Sequence, residues 1–357
     1  MINGNLKSTY SADETILNNR YKRLFVILMA LLVIALPTFA NDYVVLIASK
    51  VGIMLIAVVG VNVVIGYTGL LSLGHGGFLA LGAYAVTLLH TLLSYLGVPV
   101  DVQMLIAIPG AISVTSLFGI IVGLPSLRVK GVYLAVATLS ANFILLFLIE
   151  LDLLARWTGG RTGLTTVDPT LFGLKFDTQR EVCLLIGIMA FFTVLLIQNL
   201  FRTRIGRAFI AIRERDYSAE IIGISIFRYK LLSFAISAAC CGLAGVLFAY
   251  FYARVLPEQF ALLLSLQLVA ALVVGGMGRT MGPIYGVLVI VLSPELLKLV
   301  FTAIAGTSAE TAQFRAPLQE IVFGLLIIGF ILFEPLGIAQ MIDRMFRILN
   351  RWPFARG

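Results

Sequence analysis

Apolar residues in this chain run on uninterrupted instead of alternating with polar ones. Stretches 24–40, 43–65, 70–96, 102–123, 131–149, 182–200, 231–252, 261–277, 283–303 and 318–338 are each close to uniformly apolar. About 20 such residues cross a bilayer as a helix. The pattern therefore predicts an all-α, polytopic membrane bundle of about ten transmembrane helices. Glycines interrupt the third run and the pair 261–303, which predicts broken or closely packed segments there. The polar remainder forms an N-terminal tail (1–23), loops at 150–181 and 201–230, and a C-terminal tail (339–357) around one membrane domain (24–338).

Charge gives the pattern a direction. With both ends of the chain on the cytoplasmic side, 18 of the 26 lysines and arginines fall in cytoplasmic segments and seven outside, with Lys50 inside a run. Cytoplasmic loops of membrane proteins carry such an excess. The same clustering explains the net charge of +8 without nucleic acid. The loop 150–181 is then periplasmic and 201–230 cytoplasmic. The polar lead of 23 residues, with Asp13 and Glu14, is long and weakly basic for a signal peptide, so the first run is expected to be an anchor. "PTFA" at its end still resembles a cleavage site.

Composition narrows the class. Charged residues make up 12% of the chain, against roughly 25% in soluble domains, and mean hydropathy is +1.03. Cys183, Cys240 and Cys241 sit in apolar runs without metal or redox spacing. The chain has no GK dipeptide, no HExxH and no GxSxG, so the usual phosphate-loop, zincin and nucleophile-elbow chemistries have no seat. Asp101, Glu150, Asp152 and Glu181 are read at span edges, which leaves the spans without carboxylates for an ion relay. Lys50 lies eight residues into its run. Its stem either snorkels to the outer interface or presents a pathway cation or ion-pair partner to another span.

Two glycine clusters stand out. "GYTGLLSLGHGGFLALGAYA" (66–85) has six glycines in twenty residues and contains one of the chain's two histidines. Gly66, Gly69, Gly74 and Gly77 each cost a helix about 1 kcal/mol relative to alanine, while Ser72, Gly76 and Ala80 fall four apart. The reading is a close-packed, locally broken segment lining or gating a pathway. His75 is then a packed or hydrogen-bonded residue holding the junction, or else a direct cargo contact. "VVGGMGRTMGPIYG" carries Gly275, Gly276, Gly278, Gly282 and Gly286. Spacing of four lets helix backbones approach, and Pro283 suits a helix start. The pair of clusters suggests an internal repeat.

The loop 201–230 is the most unusual polar segment. "RAFIAIRERD" and "YSAEIIG" both read as short helices. Gly223 suits a left-handed stop and Ser225 a cap for the next span. Ile221 and Ile222 are then offered on an exposed turn, either to the inner leaflet or to a separate cytoplasmic subunit.

These blocks carry a resemblance. The first glycine cluster, "SLRVKGVYLAVATL", "WTGGRTGL", "GRAFIAIRERDYSAEIIGISIFRYKLLSFAISAACCGLAGVLFA" and "LVVGGMGRTMGPIYGVLVIVLSPEL" resemble successive blocks of bacterial branched-chain amino acid ABC transporter permeases, most like the M-type subunit. The resemblance spans roughly 43–338. It implies a chain without cofactor or catalysis of its own, in the bacterial inner membrane. Its partners would be a second homologous permease, two ATP-binding subunits that carry ATP and Mg, a periplasmic or lipid-anchored substrate-binding protein, and membrane lipid. It implies an ATPase-coupling loop from Arg207 through Arg213, Glu214, Asp216, Ala219, Glu220, Ile221 and Ile222 to Gly223. It also implies an external block at Trp157, Thr158, Gly159 and Gly160. M-type relatives commonly have a small or amide residue after "TGG", where this chain has Arg161 and Thr162. Urea and short amides therefore stand beside leucine, isoleucine and valine as cargo. A stand-alone secondary carrier and an intramembrane enzyme using His75 or His90 are the competing classes.

Overall fold

The computed structural model describes residues 33–126, 129, 131–151, 153–167, 169–171, 173–305 and 337–351, with isolated positions at 29, 321, 324, 325, 328, 329 and 332. Nearly half of the first expected span and most of the tenth lie outside these residues. Within them the long helices are α1 (Asp42–Val61), α2 (His75–Tyr95), α3 (Val100–Ser126), α4 (Val132–Glu150), α5 (Gln179–Leu200), α8 (Ile226–Tyr252), α9 (Leu262–Gly275) and α10 (Gly282–Ala305). Two short helices, α6 (Arg204–Glu214) and α7 (Asp216–Ile221), fill the loop before α8, and α11 (Ile338–Arg351) follows the tenth run. Seven segments among the described residues are long and apolar enough to cross a membrane. They match the second to eighth expected spans, and α10 occupies the ninth.

The helices alternate in direction. Asp42 of α1 meets Arg180 of α5, and Thr170 bonds the carbonyl of Val100. Strands β1 (Leu164–Thr165) and β4 (Arg254–Val255) pair, so these loops share one end. At the other, basic end, Gly66, Arg213 and Gly278 meet. The loop 150–181 also holds the pair β2 (Thr170–Leu171) and β3 (Leu174–Lys175), a small departure from an all-helical chain.

Helix α8 is the central post. Its small residues let three neighbours touch its backbone, the device that replaces hydrophobic association inside lipid. A Cβ on Gly245 would strike the Leu79 backbone of α2, and one on Gly242 would lie 2.7 Å from the Thr115 Cβ of α3. On α1, a Cβ at Gly60 would lie 2.7 Å from that of Cys240. Gly82 of α2 abuts the Gly242 backbone. Gly82→Leu must push α2 and α8 apart, and is expected to cost about 3 kcal/mol and lower the melting temperature in detergent by about 5 °C or more. Gly110→Ala, which meets only the end of the Leu89 side chain, is expected to change it far less.

Two sequence expectations change here. Ser225 occupies the N-cap of α8, but its hydroxyl makes no cap bond; the helix starts at Ile226, earlier than the apolar run at 231. The spacing of four in the second cluster does not lie on one helix. Gly278 sits in a turn with φ of +72°, and α10 begins at Gly282. The close approach comes instead from a hairpin, in which Gly275 faces Gly282 and Gly286 faces Ala271 across the α9–α10 crossing.

Candidate functional site

The first glycine cluster is a helix break followed by a pinned helix start. Helix α1 ends in a π-turn, Asn62–Tyr67, a widening that recurs at functional positions. Residues Gly69–Gly74 are not helical, and α2 begins at His75. Ser72 therefore does not share a helical face with Gly76 and Ala80. Instead, Leu73 N–H donates to Thr138 Oγ1 at 3.0 Å, and Gly76 N–H donates to Ser265 Oγ at 2.9 Å. A Cβ on Gly74 would lie 2.5 Å from the Thr138 carbonyl, and one on Gly77 2.8 Å from Asn142 Oδ1. Glycine is needed because α4 and α9 press on this start.

His75 is fully buried. Its Nε2 lies 2.9 Å from Ser237 Oγ of α8, its Nδ1 faces Ser72 Oγ at 3.5 Å, and Phe78 meets the ring edge-on. Ser237→Ala would strand a buried ring nitrogen, which costs about 1–3 kcal/mol. The expected result is a lower melting temperature that Ser237→Thr, which keeps the hydroxyl, largely restores. His90 is the counterpart nearer the other end, bridging Gln103 of α3 (3.2 Å) and Tyr250 of α8 (2.8 Å).

The basic end gathers both glycine clusters and the polar loop. Asn62 Nδ2 donates to the Arg279 carbonyl at 3.0 Å, and its Oδ1 accepts from Gly278 N–H at 2.9 Å. A Cβ on Gly66 would reach Gly278 N. Arg213 reaches out of α6 to donate from Nη1 to the Gly66 carbonyl, beside Gly69 and Gly278. Tyr67 stacks on Phe201 at the end of α5, centroids 3.4 Å apart. Arg279 continues the chain of contacts to Gln340 of α11 at 2.8 Å. One π-turn thus touches α5, α6 and the α9–α10 turn.

Helix α6 lies against the bundle because its apolar residues recur at helical spacing. Ala208, Phe209 and Ile212 are buried, and Phe209 packs edge-on against Tyr229 of α8. Thr203 caps its start by accepting from Ile205 N–H. Helix α7 is tied by Lys230 Nζ to Asp216 Oδ2 at 2.7 Å, with the lysine side chain 10% exposed. Ala219 is buried, whereas Tyr217, Ile221 and Ile222 are 76%, 69% and 71% exposed. Gly223 stops α7 at φ of +85°, a backbone that side chains with a Cβ resist. Arg207, Glu214 and Glu220 line the same surface, outside the bundle interior.

The opposite end carries the external block. Trp157 is exposed on the single turn Ala155–Thr158, while Thr158 is buried and donates to the Ile149 carbonyl at 2.7 Å. Gly159 and Gly160 follow with positive φ. Arg254 donates to the Thr162 carbonyl at 2.9 Å, which anchors the loop over the α8–α9 turn. Arg161 faces Glu150 at 3.6 Å, on the surface.

The expectation of spans without carboxylates fails at Glu295. It sits inside α10, one residue after Pro294, and accepts from Lys298 Nζ at 2.9 and 3.0 Å and from Tyr43 at 2.6 Å. The signal was present as "SPELLK" within an apolar run. Asn62 and Gln103 were also missed. Each is a lone amide in a greasy stretch, where every polar group must find an internal partner.

The structure is a polytopic helical bundle with small-residue crossings and helix ends hydrogen-bonded together at one face, and similarity to known proteins places it among membrane transport permeases. The chain belongs to the family described as "Branched-chain amino acid transport system / permease component", whose model matches residues 43–331. It is 34% identical over 304 residues to the high-affinity branched-chain amino acid transport system permease protein LivM of Escherichia coli K12, covering 78% of this chain and 69% of that one. LivM of Salmonella typhimurium LT2 is 36% identical over 300 residues, covering 76% and 68%. The permease protein BraD of Pseudomonas aeruginosa is 27% identical over 288 residues, covering 78% and 89%. No solved structure matches the chain.

Proposed function

We propose that this chain is one membrane-spanning subunit of an ATP-driven importer that moves branched-chain amino acids inward by alternating access. The observation that carries the proposal is the α6–α7 segment, an exposed isoleucine pair on a short helix that is tied by Asp216 and Arg213 to the bundle. A surface loop with no partner would have little reason to combine exposed isoleucines with such anchorage.

The basic end faces the cytoplasm, and two ATP-binding subunits, which carry ATP and Mg, dock there on Arg207–Gly223. A second homologous permease completes the pathway; among the relatives are proteins named LivM and LivH from one organism. A periplasmic or lipid-anchored binding protein delivers cargo to the face around Trp157. His75 holds the α2–α8 junction, and Gly66 and Gly278 mark the gate that docking motions turn. The membrane is the bacterial inner membrane.

Radiolabelled leucine, isoleucine and valine uptake should require this chain together with a P-loop ATPase pair and a binding protein, and the ATPases should co-purify with it. Glu295 is the observation that favours a stand-alone ion-coupled carrier. Gradient-driven uptake into vesicles holding this chain alone would overturn the importer reading. Uptake of urea in place of amino acids would overturn the cargo.

A further inference from the structure

A cavity of about 690 Å3 opens among α1, α2, α8, α9 and α10, in the half of the bundle away from α6 and α7. Small-molecule sites occupy roughly 300–1,000 Å3. Its polar lining comes from Lys50, Gln267, Glu295 and Lys298, and its apolar wall includes Phe248 and Leu268. Lys50 is two turns below the start of α1, and so at membrane depth. A charge there is expensive and marks a functional position by default.

The charges are not equivalent. The Glu295 carboxylate is already engaged by Lys298 and Tyr43. Lys50 acts on Glu295 electrostatically, but no hydrogen bond or ion pair to its ammonium is found among the described residues. Pro294 cannot donate to the Ile290 carbonyl one turn earlier; the Ser293 hydroxyl reaches that carbonyl instead, at 3.3 Å. One backbone hydrogen bond of α10 is thus missing where the cavity forms. The lining combines a cation without a hydrogen-bond partner among the described residues, the Lys298–Glu295 ion pair, an amide and an apolar wall.

We propose that this cavity is a transit site for a zwitterionic amino acid with an apolar side chain. Lys50 takes the carboxylate, Gln267 and the rim of Glu295 take the ammonium, and the side chain lies against Phe248 and Leu268. The assignment rests on the transport reading above, and extends it by locating the cargo on this chain.

The test uses the assembled complex with a Leu264→Cys reporter on the cavity wall, labelled from outside by a water-soluble thiol reagent; the three native thiols are buried. L-Leucine is expected to slow labelling about tenfold, whereas isopentylamine, which lacks the carboxylate, and 4-methylpentanoate, which lacks the ammonium, slow it little. Adding Lys50→Gln should remove the protection by leucine, and Lys50→Arg should retain it. Equal protection by all three compounds would reduce the site to a greasy pocket and overturn the proposal, as would protection that survives Lys50→Gln. Labelling indifferent to leucine, in a complex that takes up leucine, would overturn it while leaving the transport reading intact. A complex that takes up no amino acid defeats the transport reading itself.

Discussion

Replacing Ile221 and Ile222 together by glutamate is expected to abolish ATP-driven uptake and to strip the ATP-binding subunits from the purified complex. The two side chains are 69% and 71% exposed in this chain. Burying an isoleucine in an interface is worth about 1.5–3 kcal/mol, so loss of the pair removes about 3 kcal/mol or more. That is roughly a hundredfold in affinity before the cost of burying unpaired carboxylates is added. The bundle should notice little, because both side chains are exposed, the cap at Ile222 is made by its backbone N–H, and exposed substitutions outside packed contacts stay within about 0.5 kcal/mol. Co-purification, uptake and detergent melting temperature, measured on one preparation, separate the outcomes. Unchanged association with full uptake would remove α7 from the docking surface. A large drop in melting temperature would mean that the pair is packed, against the exposure seen here.

The two short helices of the 201–230 loop were legible in the sequence because they are local. The stretches "RAFIAIRERD" and "YSAEIIG" and the left-handed stop at Gly223 are all readable within 25 residues; the cap at Thr203 emerged only with the structure. Most spans were legible for the same reason, since a bilayer demands uninterrupted apolar length. The glycine clusters were legible as places of close approach, but their partners were not. Nothing local says that Gly66 will meet Gly278, more than 200 positions away, or that Ser265 and Thr138 will hold the start of α2. Such pairings follow from how helices cross, and crossing is fixed by many small residues acting together. The error at Glu295 has a different cause. It was read as part of an apolar run because its neighbours dominate the average, although an ion pair at i, i+3 with Lys298 was in plain view.

Arg213 gives the other large effect, because it links α6 to the π-turn at the end of α1. Its guanidinium donates to the Gly66 carbonyl within the π-turn, and the same turn holds Gly278 and Arg279 through Asn62. If docking motions reach the bundle through this contact, Arg213→Ala should leave the Ile221–Ile222 surface intact and the ATPases bound. Uptake should fall by about tenfold or more, while ATP hydrolysis persists. A hydrogen bond from a charged donor is worth about 1.5–3 kcal/mol, which sets that scale. Arg213→Lys should rescue little, since a point charge on a shorter reach does not reproduce the planar fork. Asn62→Ala should give the same phenotype from the other side by freeing the Gly278–Arg279 turn. The double variant decides whether the two act in series. Contacts that share one two-state element are non-additive, so Arg213→Ala with Asn62→Ala should lose little more uptake than either alone. Simple multiplication of the two losses would mean independent packing roles, and the π-turn would then be a structural knot without a part in transmission.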